Sequence, residues 1–220
     1  MESVKLPLLF LVMVLGVALA TTPCQASFWG DPVPQGQWSG SLTSPSGITA
    51  GGNWNNANTT ISWDVSFDSQ DNLYTYEYSW ASDDPALSHI IIEVTEGATI
   101  GEFMNFVNTG YDDDIKEYTT GGSNPFMPGN LYGIKLEEFS SFPVSFETRR
   151  RPVWGNFYAK GGAAGQPNFG YAHNVGFGST GVDSFYIARP NSIVPIPSAL
   201  WLLGSGLIGV LGLRGRLSVI

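Results

Sequence analysis

The chain has 220 residues, with 10 Lys plus Arg against 19 Asp plus Glu and a formal net charge of −9. That length suits one domain with appendages, and the acidic balance excludes a protein that coats nucleic acid, which needs a basic field against the phosphate backbone. A hydrophobic content of 43% with 13% charged residues excludes a charge-rich disordered chain, and the single cysteine, Cys24, excludes a disulfide framework or a cysteine-based metal site.

The N-terminus has the layout of a secretory signal peptide. Met1 to Lys5 is a short positively ended region, Leu6 to Ala20 is an apolar run, and small residues follow up to Ser27. Cleavage by signal peptidase fits after Ala20 or after Ala26. Pro23 ends the apolar segment and favours the second site, which makes residues 1–26 the signal peptide.

From Ser27 to Ser192 the pattern is that of strands. Trp63, Val65 and Phe67 alternate with Asp64 and Ser66, and Tyr74, Tyr76, Tyr78 and Trp80 share one face while Thr75, Glu77 and Ser79 share the other. Ile90-Ile91-Ile92 is a β-branched run, Val144 and Phe146 alternate with Ser145 and Glu147, and further strands are expected at Val153 to Tyr158, at Phe177 and at Phe185 to Ala188. Gly51-Gly52-Asn53, Gly121-Gly122-Ser123-Asn124-Pro125, Pro128-Gly129-Asn130 and Gly161-Gly162 read as turns. The expectation is one all-β domain over residues 27–192, a β-sandwich of jelly-roll-like or immunoglobulin-like type. One short helix of about two turns is predicted from the Thr99 and Glu102 capping-box pattern, with Ile100, Phe103, Met104 and Val107 on one face.

No catalytic residues are expected in this body. His89 and His173 are the only histidines, and no metalloprotease spacing, phosphate loop or nucleophile elbow is present. Trp54, in an Asn-rich stretch, and then Trp38 are the candidates for stacking on sugar rings, whose apolar C–H surface suits an aromatic face. The acidic run Asp112-Asp113-Asp114 admits calcium through Asp112 and Asp114, against the simpler reading of a solvated turn; otherwise no cofactor is expected. Arg149-Arg150-Arg151 either meets an anionic polymer or pairs with Glu137, Glu138 or Glu147.

Residues 193–220 open with Val194-Pro195-Ile196-Pro197 and run on through Ser198-Ala199-Leu200-Trp201-Leu202-Leu203-Gly204-Ser205-Gly206 to Leu213, followed by Arg214 and Arg216. Ile193 to Leu213 is 21 uncharged residues, enough for a transmembrane helix across about 30 Å of hydrocarbon, with the arginines on the cytoplasmic side. This segment resembles the PEP-CTERM protein-sorting domain, with Ile196 where that family usually has Glu. The resemblance implies recognition by an exosortase near Pro195 and Pro197. It also implies a Gram-negative, exopolysaccharide-producing source, and export across the inner membrane with a transient single-pass membrane anchor before delivery to the cell surface or extracellular matrix. The function expected on these grounds is that of a non-enzymatic cell-surface or extracellular-matrix protein, with a polysaccharide-binding module, calcium-assisted or not, as the alternative.

Overall fold

The structure is a computed structural model that describes residues 28–55, 58–163, 165–178 and 184–191. Among the described residues it has fourteen antiparallel strands and two single 3-10 turns. Strands β1 (Ser39–Thr43), β3 (Thr60–Asp68), β4 (Leu73–Ala81), β10 (Val144–Thr148) and β6 (Phe103–Val107) form a five-stranded sheet in the order β1-β3-β4-β10-β6. A seven-stranded sheet runs β2 (Ile48–Gly52), β13 (Phe169–Asn174), β12 (Phe157–Gly162), β5 (Leu87–Glu93), β9 (Leu131–Glu137), β7 (Gly110–Tyr111), and β8 (Lys116–Tyr118) also pairs with β9. Strands β11 (Pro152–Gly155) and β14 (Ile187–Pro190) form a separate two-stranded sheet, and Pro32 bridges to Val153 on its β11 side.

The alternation in the sequence sets which face each strand buries. Ile61, Trp63 and Val65 of β3 and Tyr76, Tyr78 and Trp80 of β4 point into the core, while Ser62, Asp64, Thr75 and Glu77 point out. They meet Ile90 and Ile92 of β5, Ile134 and Leu136 of β9, and Phe157 and Ala159 of β12 from the other sheet, in one continuous apolar cluster. Ile91 faces the opposite way and is still fully buried, because a second, smaller cluster of Tyr118, Met127, Leu131, Tyr158 and Phe177 covers that outer face. An uninterrupted Ile90-Ile91-Ile92 run is what burial on both faces of a strand demands.

The expected β-sandwich, jelly-roll-like or immunoglobulin-like, with a short helix and a transmembrane helix, is corrected. The strands divide among three separate antiparallel sheets, with no closed barrel. Pro152 pairs with Pro190 in the small sheet, and a residue without an N–H weakens a ladder, so this pair joins neither large sheet; β14 lies against β1, β3 and β5, while Pro32 bridges to Val153 along the other edge of β11. The predicted helix is also replaced. The Glu102 carboxylate does accept the Thr99 N–H at 2.8 Å, but only Ile100–Glu102 turns, and Phe103 enters β6 opposite Thr148. Arg150 fixes Glu102 at 2.6 Å, and the aromatic and β-branched residues that follow take the ladder in preference to a helical face.

The membrane expectation is corrected too. Among the described residues no helix is long and apolar enough to cross a membrane, and the apolar runs there are spent on strands; the single-pass anchor inferred for the chain has no counterpart in them. Residues 1–26, expected as a signal peptide, and residues 193–220, with Val194, Pro195, Ile196, Pro197, Arg214 and Arg216, lie outside the described residues.

Candidate functional site

Strand β13 turns Gly170, Ala172 and Asn174 inward and Phe169, Tyr171 and His173 outward, onto the outer face of the seven-stranded sheet. The stacked pairs Phe169–Tyr171 and Tyr171–His173 have ring centroids 5.9 and 6.5 Å apart. On the edge strand, Gly51 stands opposite Tyr171, and a Cβ there would fall 2.2 Å from the Tyr171 ring. The absence of a side chain at Gly51 lets Tyr171 lie across the sheet edge. On the other side Tyr171 is in register with Lys160, and Lys160 with His89.

The connection between β8 and β9, residues 119–130, folds over this face. Gly121 and Asn124 exchange backbone hydrogen bonds at 3.0 and 2.8 Å, which closes a tight turn. The Asn124 side chain then reaches down: its Oδ1 accepts from His89 Nε2–H at 3.1 Å and its Nδ2 donates to the Thr119 carbonyl at 3.2 Å. The Tyr158 hydroxyl donates to the Pro125 carbonyl at 2.8 Å, the Thr120 hydroxyl donates to the Met127 carbonyl at 2.6 Å, and the Met127 side chain is buried in the small cluster.

Phe126 stands between these anchors with φ +62 and 63% of its surface exposed. A bulky side chain in the left-handed region costs roughly 1–3 kcal/mol and persists only where the surroundings over-determine it. Here Asn124, Pro125 and Met127 are each tied down, and the ring is delivered onto Tyr171 with centroids 4.8 Å apart and planes 18° from parallel. Phe169 closes the cluster 6.0 Å from Phe126. The result is a three-ring platform whose outermost ring is held by the fold, bordered by Lys160, His173 and the exposed Thr49.

No family model, curated protein or solved structure matches this chain. Its function is therefore argued from this geometry alone.

The residues expected from the sequence lie elsewhere. Trp54 is fully buried and donates from Nε1 to the carbonyls of Asp83 and Pro85 at 3.0 Å each, so it offers no ring face to a ligand. Trp38 is half-buried, packs edge-on against Tyr74 at 5.8 Å and donates to the Val33 carbonyl. Asp112 pairs with Lys116 at 3.0 Å and accepts from the Tyr118 hydroxyl at 3.2 Å, and the hydrogen-bonded Lys116 ammonium holds its carboxyl below the usual range. Asp113 and Asp114 are exposed, and among the described residues no group of three His, Cys, Asp or Glu could hold a metal ion. Of the three arginines, Arg150 is buried and binds Glu102 and the Asn191 carbonyl, not Glu137, Glu138 or Glu147. The sequence reading missed the platform, although the period-two set Phe169, Tyr171, His173 carries a signal that finds its strand. Phe126 had no such signal, because its partners come from a strand more than forty residues away.

His89 is the polar floor of this site. Burial is the main force pushing its basicity down, to a pKa of about 4; the charges of Lys135 and Lys160 add to it, and the Asn124 hydrogen bond and Glu137 oppose it. In the unfolded chain the imidazole titrates near 6.5, so between about 6.5 and about 4 the unfolded state holds the extra proton and stability falls as the pH falls. Comparing urea unfolding of wild type and His89→Gln across that window should show the wild type losing up to about 1.4 kcal/mol more per pH unit. Equal slopes for the two proteins would mean that His89 is not held neutral under the loop.

Proposed function

We propose that this chain is a non-enzymatic protein that binds polysaccharide on the outer face of its seven-stranded sheet. The observation that carries this reading is Phe126, an exposed ring kept at a left-handed backbone position and seated on Tyr171. Nothing in core packing calls for such an arrangement, since the ring is 63% exposed. An aromatic face suits the apolar C–H surface of a sugar ring, and hydroxyl, imidazole and amine groups at its border suit the hydroxyls around that ring. The groups bordering the rings are Lys160, His173 and Thr49, which is a binding rather than a hydrolytic set, because glycoside cleavage uses two carboxylates flanking the bond. The chain's net charge of −9 counts against a nucleic acid as the stacked ligand.

The test is retardation of the full chain in native gels containing soluble polysaccharides, compared with Phe126→Ala. The variant should fold with an unchanged urea midpoint and bind about tenfold more weakly, the order of one aromatic contact. Unchanged retardation in the variant would remove the platform from the function, and no retardation of the wild type by any polymer would remove the reading.

A further inference from the structure

The platform has a local charge opposite to that of the chain. Lys116 pairs with Asp112, Lys135 with Glu137, Arg150 with Glu102 and Arg189 with Glu93. Lys160, like the exposed Arg149 and Arg151, makes no ion pair among the described residues, but of these three it alone is half-buried and in the strand rows of this face. It is half-buried and sits in the row Gly51–Tyr171–Lys160–His89, so its ammonium stands on the same outer face as the ring cluster. Lys135, opposite Ile91 in the neighbouring row, adds a second cation, partly neutralised by Glu137. The lowered basicity of His89 beneath them, after burial, reflects these two charges. An unpaired ammonium beside a stacking surface in an acidic molecule is the arrangement that discriminates by charge at short range while the net charge repels at long range.

We infer that the ligand of this face is an acidic polysaccharide, its sugar ring stacked on Phe126 and Tyr171 and its anionic substituent held by Lys160. This rests on the polysaccharide-binding reading above. Carboxylate and sulfate substituents share the chemistry, since Lys is a point charge without the planar fork that would favour one of them.

The full chain is run in gels containing dextran, dextran sulfate or alginate, together with Lys160→Gln, Phe126→Ala and, as a control, Lys116→Gln. The expected result is stronger retardation by dextran sulfate, alginate or both than by dextran. Lys160→Gln should weaken binding to the charged polymer about fivefold and flatten its salt dependence, while binding to dextran and the Lys116→Gln control stay unchanged. A response to alginate alone assigns a carboxylate, and a response to dextran sulfate alone assigns a sulfate. Equal binding to dextran that ignores Lys160→Gln overturns the acidic ligand and leaves the platform standing. A loss in Lys160→Gln with none in Phe126→Ala overturns the platform, and no binding to any polymer overturns both.

Discussion

Replacing Glu93 with alanine is expected to lower the stability of the domain by about 3–5 kcal/mol, the cost of stranding a buried charge. The side chain is 6% exposed and is the hub of a polar cluster. Its oxygens accept from Trp29 Nε1 at 2.9 and 3.1 Å, from the Asn156 backbone N–H at 2.6 Å and side-chain amide at 2.8 Å, and from Arg189 at 3.4 Å. Arg189 is 2% exposed and also donates to the Thr95 hydroxyl and the Pro190 carbonyl, at 2.9 and 3.1 Å, neither of which carries a counter-charge. Removing the carboxylate leaves the guanidinium buried without a counter-charge and leaves the indole and both Asn156 donors without their acceptor. Gly155 packs against the guanidinium so closely that a Cβ there would fall 2.2 Å from Arg189 Nε. Urea unfolding of Glu93→Ala and of the double variant Glu93→Leu, Arg189→Met checks the mechanism: the double variant should recover most of the loss, since a buried pair replaced by apolar groups is often tolerated. A Glu93→Ala protein as stable as wild type would show that the cluster is solvated.

Trp54→Ala is expected to cost a similar amount, about 3–5 kcal/mol, through cavity formation and not through lost binding. The indole fills a slot that only glycine neighbours permit: a Cβ on Gly161 or on Gly170 would come within 2.5 Å of it. It packs on Trp80 with centroids 5.1 Å apart, and the Trp54 carbonyl accepts from the Thr59 hydroxyl at 2.9 Å. Emptying that slot leaves apolar walls without partners and removes the N–H that the Asp83 and Pro85 carbonyls share. Thermal unfolding and polysaccharide retardation together separate Trp54 from Phe126: Trp54→Ala should lose stability and keep affinity in the folded fraction, whereas Phe126→Ala should do the reverse. A stable Trp54→Ala protein that no longer binds would return Trp54 to the ligand-contact role that its Asn-rich surroundings suggest.

These contrasts show which parts of the molecule its sequence discloses. Strands such as β3 and β4 are legible because a period of two over seven or more residues has few other meanings, and the Ile90-Ile91-Ile92 run already points to a strand buried on both faces. The turn at Ile100–Glu102 misleads because the hydrogen bond that starts a helix also fits a single 3-10 turn, and the choice is made by Arg150 from the distant connection between β10 and β11. Trp54 misleads for a related reason: Asn53 and Asn55 describe the neighbouring backbone, while Gly161 and Gly170, more than a hundred residues on, decide where the ring goes. Phe126 lies beyond local pattern altogether, since its exposure and its stacking depend on a loop crossing strands β5, β12 and β13, and on His89 and Tyr158 being there to hold it.

Trp29 and Arg189 come from opposite ends of the described chain, and both close on Glu93, at one end of β5. The row that holds Tyr171 and Lys160 crosses the same strand at His89, four residues and so about 13 Å away. The two chain ends therefore leave from one pole of the domain, and the aromatic face lies toward the other. A pull exerted through Trp29 and Arg189 therefore meets first at the Glu93 clasp, and not at the row of Tyr171, Lys160 and His89.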